Sequence, residues 1–253
     1  MLKNRVIPCL LLDEGRLVKS TKFKNNKYVG DPINAIKIFN DKEVDELIVI
    51  DISATRLGRG PNYSLIEEFA GECFMPLCYG GGVKSIEQAR RLFNSGVEKI
   101  SIQSALYENE NLLNEIVSEY GSQSIVASVD LKKNIFGKYR LYDFKSKSFY
   151  KLNWHDYIKK LNKEGVGEIF LNFVDRDGCG NGLDLELIRE VSSLVSVPLI
   201  ACGGVGSLDD IKSGVNAGAN AIAAGSYFVF NGPHKAVLIT YPKYNELSKL
   251  FEA

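Results

Sequence analysis

Short apolar segments alternate with longer amphipathic segments along the whole chain. Segments 85–95 and 207–217 carry apolar residues at helical spacing. Eight apolar segments are typical of buried strands: Val6–Ile7, Leu47–Ile50, Pro76–Tyr79, Lys99–Ile102, Ile125–Val129, Ile169–Phe173, Pro198–Ala201 and Ala221–Ala224. Uninterrupted apolar strands that alternate with helices predict a parallel sheet covered by helices. Eight such units predict an α/β fold of the (β/α)8, or TIM, barrel type, with an open doubly wound sheet as the alternative.

The two halves of the chain resemble each other, which favours the barrel over the open sheet. The sequence PLCYGGGVKS at 76–85 matches PLIACGGVGS at 198–207. Further residues coincide at the same offset: Gly96 with Gly218, Ile100 with Ile222, Ser104 with Ser226, and Glu46 with Glu168. An internal repeat of this length predicts one domain, 1–253, built from two half-barrels of about 1–122 and 123–253.

The charge balance and the absence of long apolar runs exclude several classes of partner. Lys and Arg number 31, as do Asp and Glu, so the net charge of the 253-residue chain is zero, which argues against nucleic acid. No apolar run approaches the roughly 18 residues that span a bilayer. The chain runs from Met1 directly into its first apolar segment, without the pattern of a secretion signal. A cytoplasmic protein without membrane contact is therefore expected.

The cysteines and histidines do not form a recognisable metal or disulfide pattern. Five cysteines are present, an odd number, and none forms a CxxC pair. Reduced thiols are expected, with no metal site and no cofactor. His155 and His234 have no candidate ligands near them in sequence. They are interpreted as surface or loop residues.

Glycine and serine residues follow four of the predicted strands in matching positions of the two halves. The sets are Gly81 and Gly82 after strand 3, Ser104 after strand 4, Gly203 and Gly204 after strand 7, and Gly225 and Ser226 after strand 8. Glycine lets the backbone approach a ligand closely, and a helix N-terminus offers free N–H groups to an anion. Active sites of such barrels lie at this end of the strands. Two phosphate-binding sites are predicted, one per half, with simple turn glycines as the alternative.

Asp130 ends the fifth strand, where the repeat places Leu11 at the end of the first strand. A carboxylate at the mouth of a barrel is seldom there for packing, so Asp130 is predicted to be a functional residue. Leu11 has no proton to transfer. Asp13 and Glu14 are close to Leu11 in sequence, but they fall in the following loop. The two matching strand ends therefore carry one carboxylate and one apolar side chain.

The opening sequence RVIPCLLLDEGRLVK at 5–19 and the sequence DRDG at 175–178 resemble the cyclase subunit of imidazole glycerol phosphate synthase, from histidine biosynthesis. The resemblance covers nearly the whole chain. In that family two aspartates act as acid/base catalysts, one where this chain has Leu11 and one that corresponds to Asp130. The resemblance therefore implies that Asp130 is catalytic and that half of the acid/base pair is missing. The resemblance also implies a set of substrate contacts: Lys19 in the first loop, Asp51, Gln103, Ser104, Asp177 and Gly178. Gln103–Ser104 departs from the Asn-Thr pair usual in the family.

The resemblance assigns a second role to four charged residues that begin strands 1, 2, 4 and 6. These are Arg5, Glu46, Lys99 and Glu168. In the family such a ring gates a passage for ammonia, which a glutaminase subunit docked at the N-terminal face supplies. Two positive and two negative charges can neutralise each other where isolated buried charges would be costly. The alternative is that these strand ends are charged because they face solvent.

An intact gate combined with a broken catalytic pair resembles a particular branch of the family. Those relatives are associated with surface-polysaccharide or nonulosonic-acid synthesis. They are thought to deliver ammonia to a third protein, of a sugar-amidotransferase or ATP-dependent ligase type, that converts an acetamido sugar into an acetamidino sugar. Three alternatives stay open: an authentic cyclase, a non-catalytic scaffold that activates the glutaminase, and a phosphosugar isomerase of the sister histidine-pathway family.

Overall fold

The structure is a computed structural model that describes residues 4–109 and 111–252. Its strands are β1 (Arg5–Asp13), β2 (Arg16–Thr21), β3 (Lys24–Gly30), β4 (Leu47–Asp51), β5 (Leu77–Gly80), β6 (Lys99–Ile102), β7 (Ile125–Lys133), β8 (Tyr139–Asp143), β9 (Ser148–Phe149), β10 (Glu168–Phe173), β11 (Leu199–Cys202), β12 (Ala221–Ala224), β13 (Phe230–Asn231) and β14 (Ala236–Val237). Its helices are α1 (Pro32–Asp41), α2 (Ile52–Arg56), α3 (Tyr63–Glu72), α4 (Ile86–Asn94), α5 (Ser104–Glu108), α6 (Leu112–Tyr120), α7 (Trp154–Lys163), α8 (Leu185–Leu194), α9 (Leu208–Asn216), α10 (Ser226–Val229) and α11 (Tyr244–Glu252). The predicted start of the domain, residues 1–3, lies outside the described residues.

Eight parallel strands close into a barrel, as the alternating pattern predicts. Their order around the barrel is β1, β4, β5, β6, β7, β10, β11 and β12, and β12 pairs with β1 to complete the ring. The closing register sets Arg5 opposite Ala221, and β7 and β10 join the two halves with Asp130 opposite Asn172. The predicted closed (β/α)8 barrel is therefore confirmed, and the open sheet is excluded.

Matching helices of the two halves begin with the same cap. The Ser85 hydroxyl accepts a hydrogen bond from the Gln88 amide at the start of α4. The Ser207 hydroxyl accepts one from the Asp210 amide at the start of α9, and the Asp210 carboxylate accepts one in return from the Ser207 amide. Each bond satisfies an amide that the first helical turn leaves without a partner. The predicted segments 85–95 and 207–217 are these two helices with their caps.

Apolar side chains of the strands pack in two separate places, as the period of two along a strand requires. The larger core lies between the barrel and its helices and includes Leu10, Leu47 and Phe228. The smaller core fills the lumen and consists of Ile7, Cys9, Ile48, Cys78, Val126, Phe170, Ile200, Ala221 and Ala223. The lumen is therefore lined by apolar groups and thiols, and it separates the two ends of the barrel.

Two antiparallel extensions that the sequence pattern did not predict rise from the barrel mouth. The first is the β2–β3 hairpin, which pairs with the end of β1. The second is formed by the end of β7 with β8 and β9. Most of β3 is polar and exposed, so it lacks the apolar alternation that predicts a half-buried strand. No helix in the described ranges is long and apolar enough to span a bilayer.

Candidate functional site

A cavity opens at the C-terminal ends of the barrel strands, and it contains most of the predicted site residues. Its lining includes Leu11, Lys19, Asp51, Gly81, Gly82, Gln103, Ser104, Asp130, Asp177, Gly225 and Ser226. Residues from eight different places in the chain thus meet at one site, because parallel strands end at the same rim. We call this cavity the mouth.

Three predicted ligand residues, Gly178, Gly203 and Gly204, lie outside the lining of the mouth. Gly203 and Gly204 both have positive φ angles, and a Cβ atom on them would lie 2.8 Å from the Phe173 carbonyl oxygen and 2.1 Å from the Gly182 carbonyl oxygen. Gly178 lines a second cavity, next to the mouth, which shares Ser226 with it. Close backbone packing requires glycine at Gly203 and Gly204, and their role in phosphate binding stays a prediction.

Asp130 is buried at the end of β7, with 5% of its surface exposed. Its Oδ1 accepts a hydrogen bond of 2.8 Å from the Asn172 side-chain amide, which also donates to Ser128 at 3.2 Å. Burial raises the pKa of Asp130 to about 6, although the hydrogen bond from Asn172 opposes that rise. A carboxyl group with this pKa can both accept and donate a proton near neutral pH.

Among the described residues, the position across the barrel from Asp130 is taken by Leu11 and not by a carboxylate. Leu11 packs with Ile50 at the upper end of the lumen core. Asp13 instead pairs with Arg56 at 2.6 Å and accepts a hydrogen bond from Asn26. Neither Asp13 nor Glu14 lines the mouth. Leu11 is therefore an apolar position in a mouth that also carries the carboxylates of Asp51, Asp130, Asp143 and Asp177.

Asp51 has a structural role that its position in the mouth did not reveal. Its Oδ1 accepts hydrogen bonds from the Ser53 amide at 2.9 Å, the Ser53 hydroxyl at 2.6 Å and the Ala54 amide at 3.1 Å. These bonds make Asp51 the N-cap of α2. One carboxylate oxygen is thus committed to capping the helix.

Asp177 and Gly178 hold the β2–β3 hairpin against the mouth. The Asp177 carboxylate accepts hydrogen bonds from the Ser20 hydroxyl at 2.6 Å and the Phe23 amide at 3.3 Å, and its carbonyl accepts one from the Lys22 amide at 2.9 Å. A Cβ atom at Gly178 would lie 2.3 Å from the Ser20 carbonyl oxygen. The DRDG sequence therefore fastens this hairpin. Burial raises the pKa of Asp177 despite these hydrogen bonds.

Lys19 is not in a solvated, mobile loop, as its sequence context suggested, but on strand β2, with only 3% of its surface exposed. Its ammonium group donates a hydrogen bond to the Cys9 carbonyl oxygen at the top of the lumen. Burial lowers the pKa of Lys19, while the nearby Cys9 and Asp177 oppose that effect. The antiparallel pairing of β2 with β1 carries the side chain inward.

At the opposite end of the barrel, the four predicted gate residues form one closed ring of ion pairs. Arg5 contacts Glu46 and lies 2.7 Å from Glu168, while Lys99 lies 2.9 Å from Glu46 and 2.7 Å from Glu168. Burial alone would raise the pKa of Glu168, but the hydrogen bonds and charges of Arg5 and Lys99 lower it. The same contacts raise the pKa values of Arg5 and Lys99 against the effect of burial. Arg5, Lys99 and Glu168 are therefore charged near neutral pH.

Sequence reasoning missed several residues that complete the mouth. Asn172 ends β10 beside Asp130, and Phe23 meets Phe144 edge-on, with ring centroids 6.0 Å apart, where the two hairpins approach each other. The signal for Asn172 was available, since it is a polar residue inside an apolar strand. The contact between Phe23 and Phe144 had no sequence signal, because the two residues lie on different hairpins.

The described residues contain no group of three or more His, Cys, Asp or Glu side chains that could hold a metal ion. His155 lies on the exposed surface of α7, where it contacts Glu190 at 2.6 Å and stacks on Trp154. His234 is exposed in the turn between β13 and β14. Neither residue lines the mouth.

Comparison with known proteins gives one consistent result. The histidine biosynthesis protein family matches residues 5–234. A relative from Pseudomonas aeruginosa, provisionally named imidazole glycerol phosphate synthase subunit hisF2, is 52% identical over 98% of this chain and 99% of its own length. The imidazole glycerol phosphate synthase subunit HisF of Dictyoglomus thermophilum is 38% identical over 91% of both chains. The chain therefore belongs to the histidine biosynthesis protein family, as a HisF-like cyclase-subunit homologue.

Proposed function

We propose that the chain is the barrel subunit of a glutamine-dependent amidotransferase and conducts ammonia from its charged ring to its mouth. The observation that carries the proposal is the closed ring of Arg5, Glu46, Lys99 and Glu168 below an apolar lumen. An apolar lumen favours neutral ammonia over ammonium because an unpaired charge is costly to desolvate. A glutaminase subunit docked at the N-terminal face, beneath the ring, is the proposed source of ammonia.

Leu11 supports an ammonia acceptor other than the cyclase substrate. A second acid/base group is absent opposite Asp130, and the loss of one such group typically lowers a rate by about 10² to 10⁴. The proposed acceptor is an acetamido sugar, which a third protein of the ATP-dependent ligase type converts into an acetamidino sugar. This acceptor rests on the resemblance of the Leu11 segment to the polysaccharide-associated relatives.

An authentic cyclase is the second candidate, and Asp130 favours it. Its pKa of about 6 suits a single group that both accepts and donates protons during imidazole formation. The products would be imidazole glycerol phosphate and an aminoimidazole ribonucleotide. In this alternative Asp130 acts alone, or a loop carboxylate supplies the acid that is missing at Leu11.

Cyclase turnover with free ammonia separates the two candidates, because it needs no partner. The assay combines the purified chain, the bis-phosphorylated nucleotide substrate of the family and a saturating ammonium salt. The amidotransferase proposal expects turnover at least about 100-fold below a typical enzyme rate of roughly 1 to 10 per second. Turnover within about tenfold of that rate would overturn it and assign the cyclase function. Gain of turnover in Leu11→Asp would show that the substrate site persists and only the acid is missing.

The glutaminase partnership has its own test. The probe is the glutaminase subunit of an imidazole glycerol phosphate synthase, mixed with the chain in equal amounts. A one-to-one complex and faster glutamine hydrolysis are expected, and Glu168→Gln in the ring should weaken the stimulation while the exposed Glu119→Gln control leaves it unchanged. Absence of both complex and stimulation would reject the partnership with this class of glutaminase.

A further inference from the structure

The ammonium group of Lys19 occupies a small niche at the upper end of the lumen. It donates its one described hydrogen bond to the Cys9 carbonyl oxygen, on β1. On the other side lies Gly225, where a Cβ atom would sit 2.8 Å from the Lys19 nitrogen. Cys9 and Cys202 belong to the lumen core below, and all four residues also line the mouth. The niche therefore lies where the lumen meets the mouth.

The niche suits a small nitrogen group better than it suits a lysine side chain. Among the described residues, no carboxylate lies within ion-pair distance of Lys19. A buried ammonium without an ion-pair partner is costly, so its burial needs a reason beyond stability. The backbone carbonyl is a neutral acceptor for an N–H donor, and the absence of a side chain at Gly225 leaves the space open.

We propose that this niche is the exit site at which ammonia leaves the lumen, and that the Lys19 nitrogen fills it when the β2–β3 hairpin is closed. The nitrogen of the lysine side chain then stands where the nitrogen of ammonia would bind. The inference rests on the ammonia passage proposed above, and it adds a specific binding site and a plug. Ammonia and Lys19 compete for the same carbonyl oxygen.

The plug is attached to an element that can move as a unit. Lys19 precedes Ser20, whose hydroxyl is held by the Asp177 carboxylate at 2.6 Å. The Phe23 amide donates to the same carboxylate, at 3.3 Å, and its ring contacts Phe144. Release of these contacts would withdraw the Lys19 side chain together with its hairpin. Closure of the mouth and closure of the lumen are therefore one event.

Thermal unfolding of two Lys19 variants of the isolated chain tests the niche. Lys19→Ala vacates it, whereas Lys19→Met fills it with an uncharged chain of similar length. Tm is measured in ammonium chloride, sodium chloride and tetramethylammonium chloride at equal ionic strength. We expect ammonium to raise the Tm of Lys19→Ala by about 3 °C over sodium at roughly tenfold above half-saturation. Lys19→Met and the unmodified chain should show no such difference, and tetramethylammonium should be too large to act.

Each other outcome overturns the proposal. An equal response of the Ala and Met variants would mean that ammonium binds elsewhere. No response of Lys19→Ala at molar ammonium would mean that the niche does not hold ammonia. In either case the glutaminase test above still decides independently whether the barrel is part of an amidotransferase, because that test does not involve Lys19.

Discussion

At the scale of single residues, the mouth combines the buried carboxyl group of Asp130 with an apolar residue, Leu11, across the barrel. Burial raises the pKa of Asp130 to about 6. A carboxyl group whose pKa is higher in the folded than in the unfolded state binds protons preferentially in the folded state. Its contribution therefore lowers stability as pH rises from about 4 to about 6.

Asp130→Asn should remove this pH dependence. The amide keeps an acceptor oxygen for Asn172 but cannot ionise, so the variant should gain stability relative to the unmodified chain as pH rises from 4 to 7. The gain should be about 2 kcal/mol, since each pKa unit corresponds to roughly 1.4 kcal/mol. Urea unfolding at several pH values measures it. A difference that stays constant over this range would contradict the raised pKa.

Leu11→Asp should destabilise the fold in a pH-dependent way. The new carboxylate would leave the packing around Ile50 and would face Asp130 across the mouth, so both desolvation and like charge oppose its ionisation. A loss of about 1 to 3 kcal/mol is expected above pH 6, with a smaller loss at pH 4. Leu11→Asn is the matched control, because it introduces polarity without charge. Equal and pH-independent losses for both variants would show that only packing matters.

At the scale of elements, the loop that contains Gly178 and Gly180 packs against the β2–β3 hairpin. Gly178 and Gly180 have the same φ of +65°, but a Cβ atom would lie 2.3 Å from the Ser20 carbonyl oxygen at Gly178 and 3.7 Å from the nearest atom at Gly180. Two glycines in one loop thus differ in contact while they share the same backbone strain. Comparing the two positions therefore separates the effect of the contact with the hairpin from the conformational cost of a residue with a left-handed backbone.

Gly178→Ala should detach the hairpin, whereas Gly180→Ala should not. Both substitutions carry the strain of a left-handed alanine, about 1 kcal/mol, but only Gly178→Ala forces the Ser20 backbone away. Amide hydrogen exchange of residues 17–24 should become at least about tenfold faster in Gly178→Ala alone. Equal exchange in the two variants would mean that the loop does not hold the hairpin.

At the scale of the whole molecule, the charged ring closes the N-terminal end of the lumen. Glu46 is 1% exposed and contacts both Arg5 and Lys99, which lie on other strands. The ring therefore links four segments that are far apart in sequence. Removing one member leaves opposite charges buried without a full set of partners.

Glu46→Gln should cost about 2 to 4 kcal/mol of unfolding free energy, because Arg5 and Lys99 would then share only Glu168. Chemical denaturation measures the loss. The exposed pair of Arg90 and Glu119 provides the control, since Glu119→Gln breaks an ion pair of 2.7 Å on the surface and should have a much smaller effect. Similar losses for both variants would contradict the buried character of the ring.

The sequence by itself determined the barrel, its repeat and the strand ends that carry its charged groups. The apolar periodicity and the repeated proline and glycine residues reflect local packing. A closed barrel of parallel strands then fixes which residues lie at the same end of the barrel. This is why Leu11 and Asp130 were expected in one mouth, whereas the ring of Arg5, Glu46, Lys99 and Glu168 was expected from the resemblance to the family. Family membership likewise followed from the motifs, since they lie in the matched residues.

Only the tertiary structure decided what several of those residues contact. Lys19 is a polar residue on a short hairpin, and its burial depends on Asp177, which lies 158 positions away in the sequence. Asp51 caps a helix and Gly203 packs against Phe173. The sequence had indicated only a substrate contact for Asp51 and a phosphate contact for Gly203. Sequence patterns report the face of an element that is buried. They do not report which distant backbone or side chain fills the space beside it, because that depends on how the elements dock.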